Sequence, residues 1–149
     1  HVLFRRQRQM CIRDSAYSSF AEEIRANCSR HILLTHDNWH ILTGYNTDTL
    51  GEALLQTITA RCFNLYQAHL VGFFGMLKVV KETKSFLPFK AWLECLRLSK
   101  QIDNSFVYYG PLEFIESDVN KLKKQFNIKE PKIYNEYYQK YKLELSNTN

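Results

Sequence analysis

A chain of 149 residues with 45% hydrophobic, 23% charged and 14% aromatic side chains has the composition of one globular domain, which excludes a disordered tail. Five glycines and three prolines exclude a collagen-like or linker-rich chain and supply few tight turns for a many-stranded barrel, so the expected fold class is all-α, a single multi-helix domain. The formal charge of +5 sits mostly at the front: residues 1–14 carry four arginines against Asp14, and the remainder holds 16 basic against 14 acidic side chains, too even a balance for a nucleic-acid-binding domain.

Residues 1–14, HVLFRRQRQMCIRD, are Arg-only among their bases and lack an amphipathic period. They read as translated adapter sequence, a non-native leader, and with that reading comes the expectation of an N-terminally truncated chain. A transit peptide would be longer and Ser-rich, and a secretory signal needs an apolar core that this stretch lacks. A helical domain is expected over residues 15–130, followed by a Tyr/Lys-rich tail over 131–149. Its first helix runs from Ser19 to Leu42, with Phe20, Ile24, Cys28 and Ile32 four apart, and Gly44 ends it. Thr49-Leu-Gly-Glu52 reads as a capping box, Thr49 the N-cap and Glu52 at the third helical position, opening a helix that continues to about His69.

Leu70 to Lys84 is apolar on nearly all sides at first and charged at its end, as in a buried helix with a solvated C-terminus, and Gly72 and Gly75 share a face that could admit a neighbouring helix or a ligand. A fourth helix is expected from Pro88 to about Asn104, then a less regular aromatic segment, SFVYYG. Pro111 opens LEFIESDVNKLKKQFNI, where Leu112, Ile115, Val119, Leu122 and Phe126 form one helical stripe. The tail, helical from Tyr134 to Leu145, is expected to be weakly anchored. The longest apolar run, Cys62 to Val80, is broken by Asn64, Gln67, His69 and Lys78 and does not read as a membrane span. Cys28, Cys62 and Cys95 form no C-x-x-C pair, which suits buried thiols in a reducing compartment.

The segment that carries chemistry is THDNWHILTGYNTDTLGE, residues 35–52. On a helix His36 and His40 lie one turn apart, about 40° of rotation, so both imidazoles leave the same face, the geometry of two ligands for one metal ion. Asp37 sits at the edge of that face, and Glu52 begins the next helix beyond a short Gly44–Asp48 loop that can fold it back toward the pair. Two neutral imidazoles with one or two carboxylates suit Zn(II), or Fe(II) or Mn(II) where coordination positions stay open. The same residues also have a structural explanation: half-buried core histidines and a capping glutamate.

The whole string decides between them. His36-Asp37-Asn38-Trp39-His40, eleven residues, then Glu52, with Leu42-Thr43-Gly44, Thr47-Asp48 and Gly51-Glu52 in place, resembles the H-D-x-x-H-x(11)-E signature of the ubiquinone-biosynthesis family called Coq-four. The resemblance covers about residues 25–130, the C-terminal half of a family whose members are usually longer. It implies a largely helical, membrane-peripheral protein of coenzyme Q synthesis, with a bound divalent metal, usually zinc, held by His36, Asp37, His40 and Glu52. It further implies oxidative removal of the C1 carboxylate from a polyprenylated 4-hydroxybenzoate-derived precursor. The alternative is a non-catalytic, lipid-binding scaffold that organises the other ubiquinone-biosynthesis enzymes.

The partners expected are thus the prenylated quinone precursor, those enzymes and a membrane surface, with a homo-oligomer allowed. The expected location is the matrix side of the mitochondrial inner membrane in a eukaryote, or the cytoplasmic face of the inner membrane in a bacterium. For the isoprenoid tail, Gly72, Phe73, Phe74, Gly75 and Met76 are the candidate lining, with ordinary core packing as the competing explanation. No nucleic acid is expected: Lys121, Lys123 and Lys124 with Tyr134, Tyr137, Tyr138 and Tyr141 suit a solvated helix and a Tyr-bearing tail.

Overall fold

The structure, a computed structural model, describes residues 22–27 and 30–146, with side chains as far as Tyr141. The leader over 1–14, the helix start at Ser19 and Cys28 lie outside the described residues. The chain divides into two compact units, residues 1–34 and 35–149. In the first, residues 22–27 and 30–34 are helical and Ile24, Ile32, Leu33 and Leu34 are exposed. The second is all-α, with no strand among the described residues. Its elements are α1 (residues 35–43), α2 (Thr49–Cys62), α3 (Tyr66–Thr83), α4 (Leu87–Ser99), a 3₁₀ turn (Asn104–Tyr108), α5 (Pro111–Ile115), α6 (Val119–Gln125) and α7 (Lys132–Ser146).

Local chemistry sets the boundaries. Gly44, at φ 78°, ends α1 as expected, a left-handed backbone that a side chain would resist. The cap of α2 differs from the sequence reading: Asp48, not Thr49, is the N-cap, and its Oδ1 accepts from the amides of Leu50 at 3.0 Å and Gly51 at 3.2 Å. A carboxylate at this end is held by the helix dipole as well as by the amides, and Glu52 is released from capping. The helix expected to reach His69 stops at Cys62. Asn64 turns left-handed at φ 56°, its amide donates to Arg61 O at 3.1 Å, and Leu65 N donates to Ala60 O at 2.7 Å, the paired bonds of a Schellman ending with asparagine where glycine is usual.

The single stripe expected from Leu112 to Phe126 is likewise two short helices. Asp118 caps the second through its bonds to Asn120 N and Lys121 N, and Leu112 and Ile115 are exposed.

Leu50, Leu54, Leu55 and Ile58 of α2, Met76 of α3, Ala91 and Cys95 of α4, Phe106, Val107 and Tyr134 are all buried in one core. Gly72 lets α3 approach α2 closely: a Cβ there would lie 2.4 Å from Thr57 Oγ1 and 2.7 Å from Ala53 O. Only the side of α3 toward α2 and α4 is covered. Tyr66, Leu70, Val71, Phe74 and Leu77 are exposed, so α3 is not the buried helix its composition suggests but a one-sided helix with an apolar outer face. Among the described residues no helix is long and apolar enough to cross a membrane.

The segment read as a weakly anchored tail is the largest departure. Tyr134 of α7 is fully buried and Tyr137 nearly so, the Glu94 carboxylate accepts from the amides of Lys132 (3.2 Å) and Ile133 (2.8 Å), and the Tyr141 hydroxyl donates to Thr83 O. Tyrosine makes this possible because its ring fills a core while its hydroxyl reaches a polar partner.

Candidate metal centre

His36 and His40 come from successive turns of α1, and Glu52 from the first turn of α2. The Gly44–Asp48 loop reverses the chain between them, so the glutamate faces the pair. His40 is 7% exposed. Its Nδ1 lies 2.8 Å from the carbonyl of Tyr45, which can only accept, so Nδ1 carries a proton and, in the neutral imidazole, Nε2 has the lone pair. That Nε2 is 3.1 Å from Glu52 Oε1, yet buried without a hydrogen-bond partner: with the ring neutral, the approach is one of two acceptors. His36 Nε2 lies 3.5 Å from Glu52 Oε2, and the two imidazoles meet edge to face at 4.7 Å.

The donor set fits a small cation. One ligand atom from each of His36, His40 and Glu52 lies within 4.8 Å of the others. Two atoms each about 2.0 Å from a tetrahedral metal stand about 3.3 Å apart. A buried imidazole lone pair facing a carboxylate needs a proton or a cation between them, and a second imidazole on the same side favours the cation. The His36 side chain is 35% and that of Glu52 44% exposed, so the cluster opens to solvent on one side.

Asp37 stands apart from this group. Its carboxylate is 93% exposed and approaches His36 Nδ1 at 3.8 Å. The five residues expected to line a lipid channel do not share one surface. Gly72 and Gly75 face Ala53 of α2, Met76 is fully buried, Phe73 packs on Trp92, and Phe74 points outward.

Three residues support the site, and the sequence points to one of them, Asp48, as a loop acid bonding to backbone. Tyr45 supplies its carbonyl to His40, a backbone role that no side-chain pattern signals. Asp48 bonds to backbone as a loop acid is expected to, and its place immediately before a helix makes it the N-cap. Tyr134 comes from the far end of the sequence: its hydroxyl donates to Asp48 Oδ2 and accepts from Asn46 N at 2.9 Å. Burial, and then the Asp48 carboxylate that it donates to, hold the Tyr134 hydroxyl well above the usual tyrosine range. Burial does the same to Tyr45, with the Cys95 thiol beside it adding to the effect, and pushes Cys95 itself up to about 12.

No curated protein and no solved structure matches the chain significantly. A family model does, over residues 24–132, and it is described as coenzyme Q (ubiquinone) biosynthesis protein Coq4.

Proposed function

We propose, since the chain belongs to the Coq4 family of coenzyme Q biosynthesis proteins and so has its role in that biosynthesis, that it is a metal-dependent decarboxylase of a prenylated ring precursor. In this reaction the C1 carboxylate of a polyprenylated 4-hydroxybenzoate-derived compound leaves as carbon dioxide and a hydroxyl takes its place, with an external oxidant supplying the oxygen atom and accepting the electrons. His36, His40 and Glu52 would hold the ion, Zn(II) first by the donor set, with Fe(II) or Mn(II) as alternatives. A divalent ion there supplies the positive charge that binds a substrate carboxylate and offsets negative charge developing on the ring oxygen.

The chain's own residues prepare that place. The Tyr45 carbonyl keeps the His40 proton on Nδ1 and its lone pair on the inner side. Glu52 balances part of the ion's charge, and Trp39, 2% exposed, packs its ring 6.3 Å from that of His36 and closes the inner wall. Exposed Asp37, beside His36 Nδ1, is suited to orient that imidazole from the solvent side or to add a fourth oxygen. The open edge at His36 and Glu52 gives the substrate its approach.

The observation that carries this reading is the bare, buried Nε2 of His40 against the Glu52 carboxylate. The test is metal content per chain, by elemental analysis of protein made without a histidine tag, for wild type beside His40→Ala, followed by turnover of a prenylated 4-hydroxybenzoate. About one ion in wild type and none in the variant is expected. A folded wild type that takes up no metal overturns it.

A scaffold reading has its own observation, the exposed apolar face of α3 formed by Tyr66, Leu70, Val71, Phe74 and Leu77, which suits a lipid surface or another biosynthetic enzyme. Glu52→Gln separates the two. A catalytic site loses turnover and keeps lipid binding; a scaffold keeps its pathway function with the site disabled.

A further inference from the structure

Three consecutive requirements of the cluster converge on the Gly44–Asp48 loop. The loop supplies the Tyr45 carbonyl that fixes the His40 tautomer, places Asp48 to start α2, and through α2 sets the position of Glu52. Its backbone is tied at the two ends, where Gly44 N donates to His40 O and Asp48 O accepts from Glu52 N, each at 2.9 Å. Gly44 is left-handed, and the loop crosses so close over Gly51 that a Cβ there would lie 1.9 Å from Asn46 O and 2.9 Å from the Tyr134 hydroxyl.

What ties the loop to α7 is one side chain. The Tyr134 ring meets the Tyr45 ring edge to face at 5.0 Å. Its hydroxyl accepts from Asn46 N at 2.9 Å and donates to Asp48 Oδ2. The two oxygens of Asp48 therefore have separate tasks: Oδ1 takes the amides of Leu50 and Gly51, and Oδ2 is fixed by Tyr134. A single phenol touches Tyr45, Asn46 and Asp48 in turn and is itself 0% exposed. It lies beyond the family match, which ends at residue 132.

We infer that Tyr134 is a positioning residue of the His36–His40–Glu52 site, acting through the Gly44–Asp48 loop to hold His40 in its Nδ1–H tautomer and Glu52 in register. The inference rests on the proposed metal site, but the tautomer it fixes exists without metal. Removing the hydroxyl frees Asn46 N and Asp48 Oδ2 together, so the loop loses both of its polar anchors to α7 while the aromatic packing stays.

The experiment uses the full chain as Tyr134→Phe and, as a control on the same helix, Tyr141→Phe, whose hydroxyl reaches Thr83 O on α3 and not the loop. Co(II) affinity is measured by competition with a chelator, and the His40 tautomer by nitrogen-15 NMR of the metal-free protein. Tyr134→Phe is expected to weaken Co(II) binding about ten- to hundredfold, the usual cost of losing support behind a ligand, and to turn His40 from one tautomer to a mixture. Tyr141→Phe should do neither.

Wild-type affinity and a pure Nδ1–H tautomer in Tyr134→Phe would overturn the inference. Should wild type bind no Co(II), the metal reading falls and the tautomer spectrum still decides the positioning role. If Tyr134→Phe does not fold, Asp48→Asn keeps a capping oxygen while weakening the bond to the tyrosine, and an unchanged His40 spectrum there counts against the role.

Discussion

His40 uses its two ring nitrogens for different ends, one as a donor to a backbone carbonyl and one as a buried acceptor with no donor facing it. A glutamine at position 52 would change the second relation, because its amide can donate where the carboxylate cannot. Glu52→Gln should therefore lose stoichiometric metal and yet raise the stability of the metal-free protein by about 1 kcal/mol, a rise in Tm of about 2–4 °C for a chain of this size. Calorimetry of chelator-treated protein tests this; a metal-free Tm below that of wild type would mean that a proton already bridges His40 and Glu52. The thiols allow a second prediction. Burial pushes Cys62 up to about 11 and Cys95 to about 12, and Cys95 donates weakly to Leu54 O. Both should resist iodoacetamide in the native protein near neutral pH and react once urea unfolds it, since the thiolate is the nucleophile. Modification of either at the rate of a free peptide thiol would show that the core opens there.

At the level of elements, the crossing of α2 and α3 turns on glycine. A Cβ at position 72 meets Thr57 Oγ1 at 2.4 Å, which cannot swing aside without losing its 2.9 Å bond to Ala53 O, and Ala53 O itself at 2.7 Å, whereas at position 75 it meets one atom, Ala53 Cβ at 2.9 Å, which is fixed to the α2 backbone and cannot turn away. Overpacking costs about 1–3 kcal/mol, and exchanging glycine for alanine inside a helix returns up to about 1 kcal/mol. Gly72→Ala should thus destabilise by about 1–2 kcal/mol in urea titration and Gly75→Ala by less, about 0–1 kcal/mol; equal effects would mean that the helices slide apart to accommodate both. That the two glycines share a packing face was legible from their spacing, as was the His36, His40 and Glu52 constellation, because side-chain period and signature are local properties. The breaks were not. Asn64 and Asn127 end helices in the left-handed conformation without a glycine to announce it, and each breaks or closes an apolar period that runs on in sequence. Asp48 displaced Thr49 as the cap because its carboxylate takes the amides of Leu50 and Gly51, the second of which a Thr49 cap would need, a contest that the S/T-x-x-E pattern does not register. The outer face of α3 misled for another reason. Hydrophobicity all round a helix says that its faces favour apolar surroundings, not which of them this fold covers.

For the molecule as a whole, the C-terminal helix is held by tyrosines rather than aliphatic residues, and this sets its response to alkali. Tyr45 is 2%, Tyr134 0% and Tyr137 8% exposed. Burial is the largest cause of the upward shift in each; it takes Tyr137 to about 12 and the other two further. In the unfolded chain a tyrosine ionises near pH 10. A group whose folded pKa is raised stabilises the fold fully below its unfolded pKa and loses that contribution as pH rises through the folded one. Stability linked to these phenols should therefore be flat up to about pH 10 and then fall by about 1.4 kcal/mol per pH unit for each tyrosine protonated in the folded state and ionised in the unfolded one. Because Tyr134 also fixes the loop behind His40, the cluster should come apart in the same transition that releases α7. Tyrosinate absorbance and helical circular dichroism recorded together through an alkaline titration should give one cooperative step for these phenols above pH 10, shallower in Tyr137→Phe. Ionisation of Tyr45, Tyr134 and Tyr137 near pH 10 with helicity intact would place α7 loosely on the surface, as its polar composition alone suggests, and would remove the anchor on which the positioning role of Tyr134 depends.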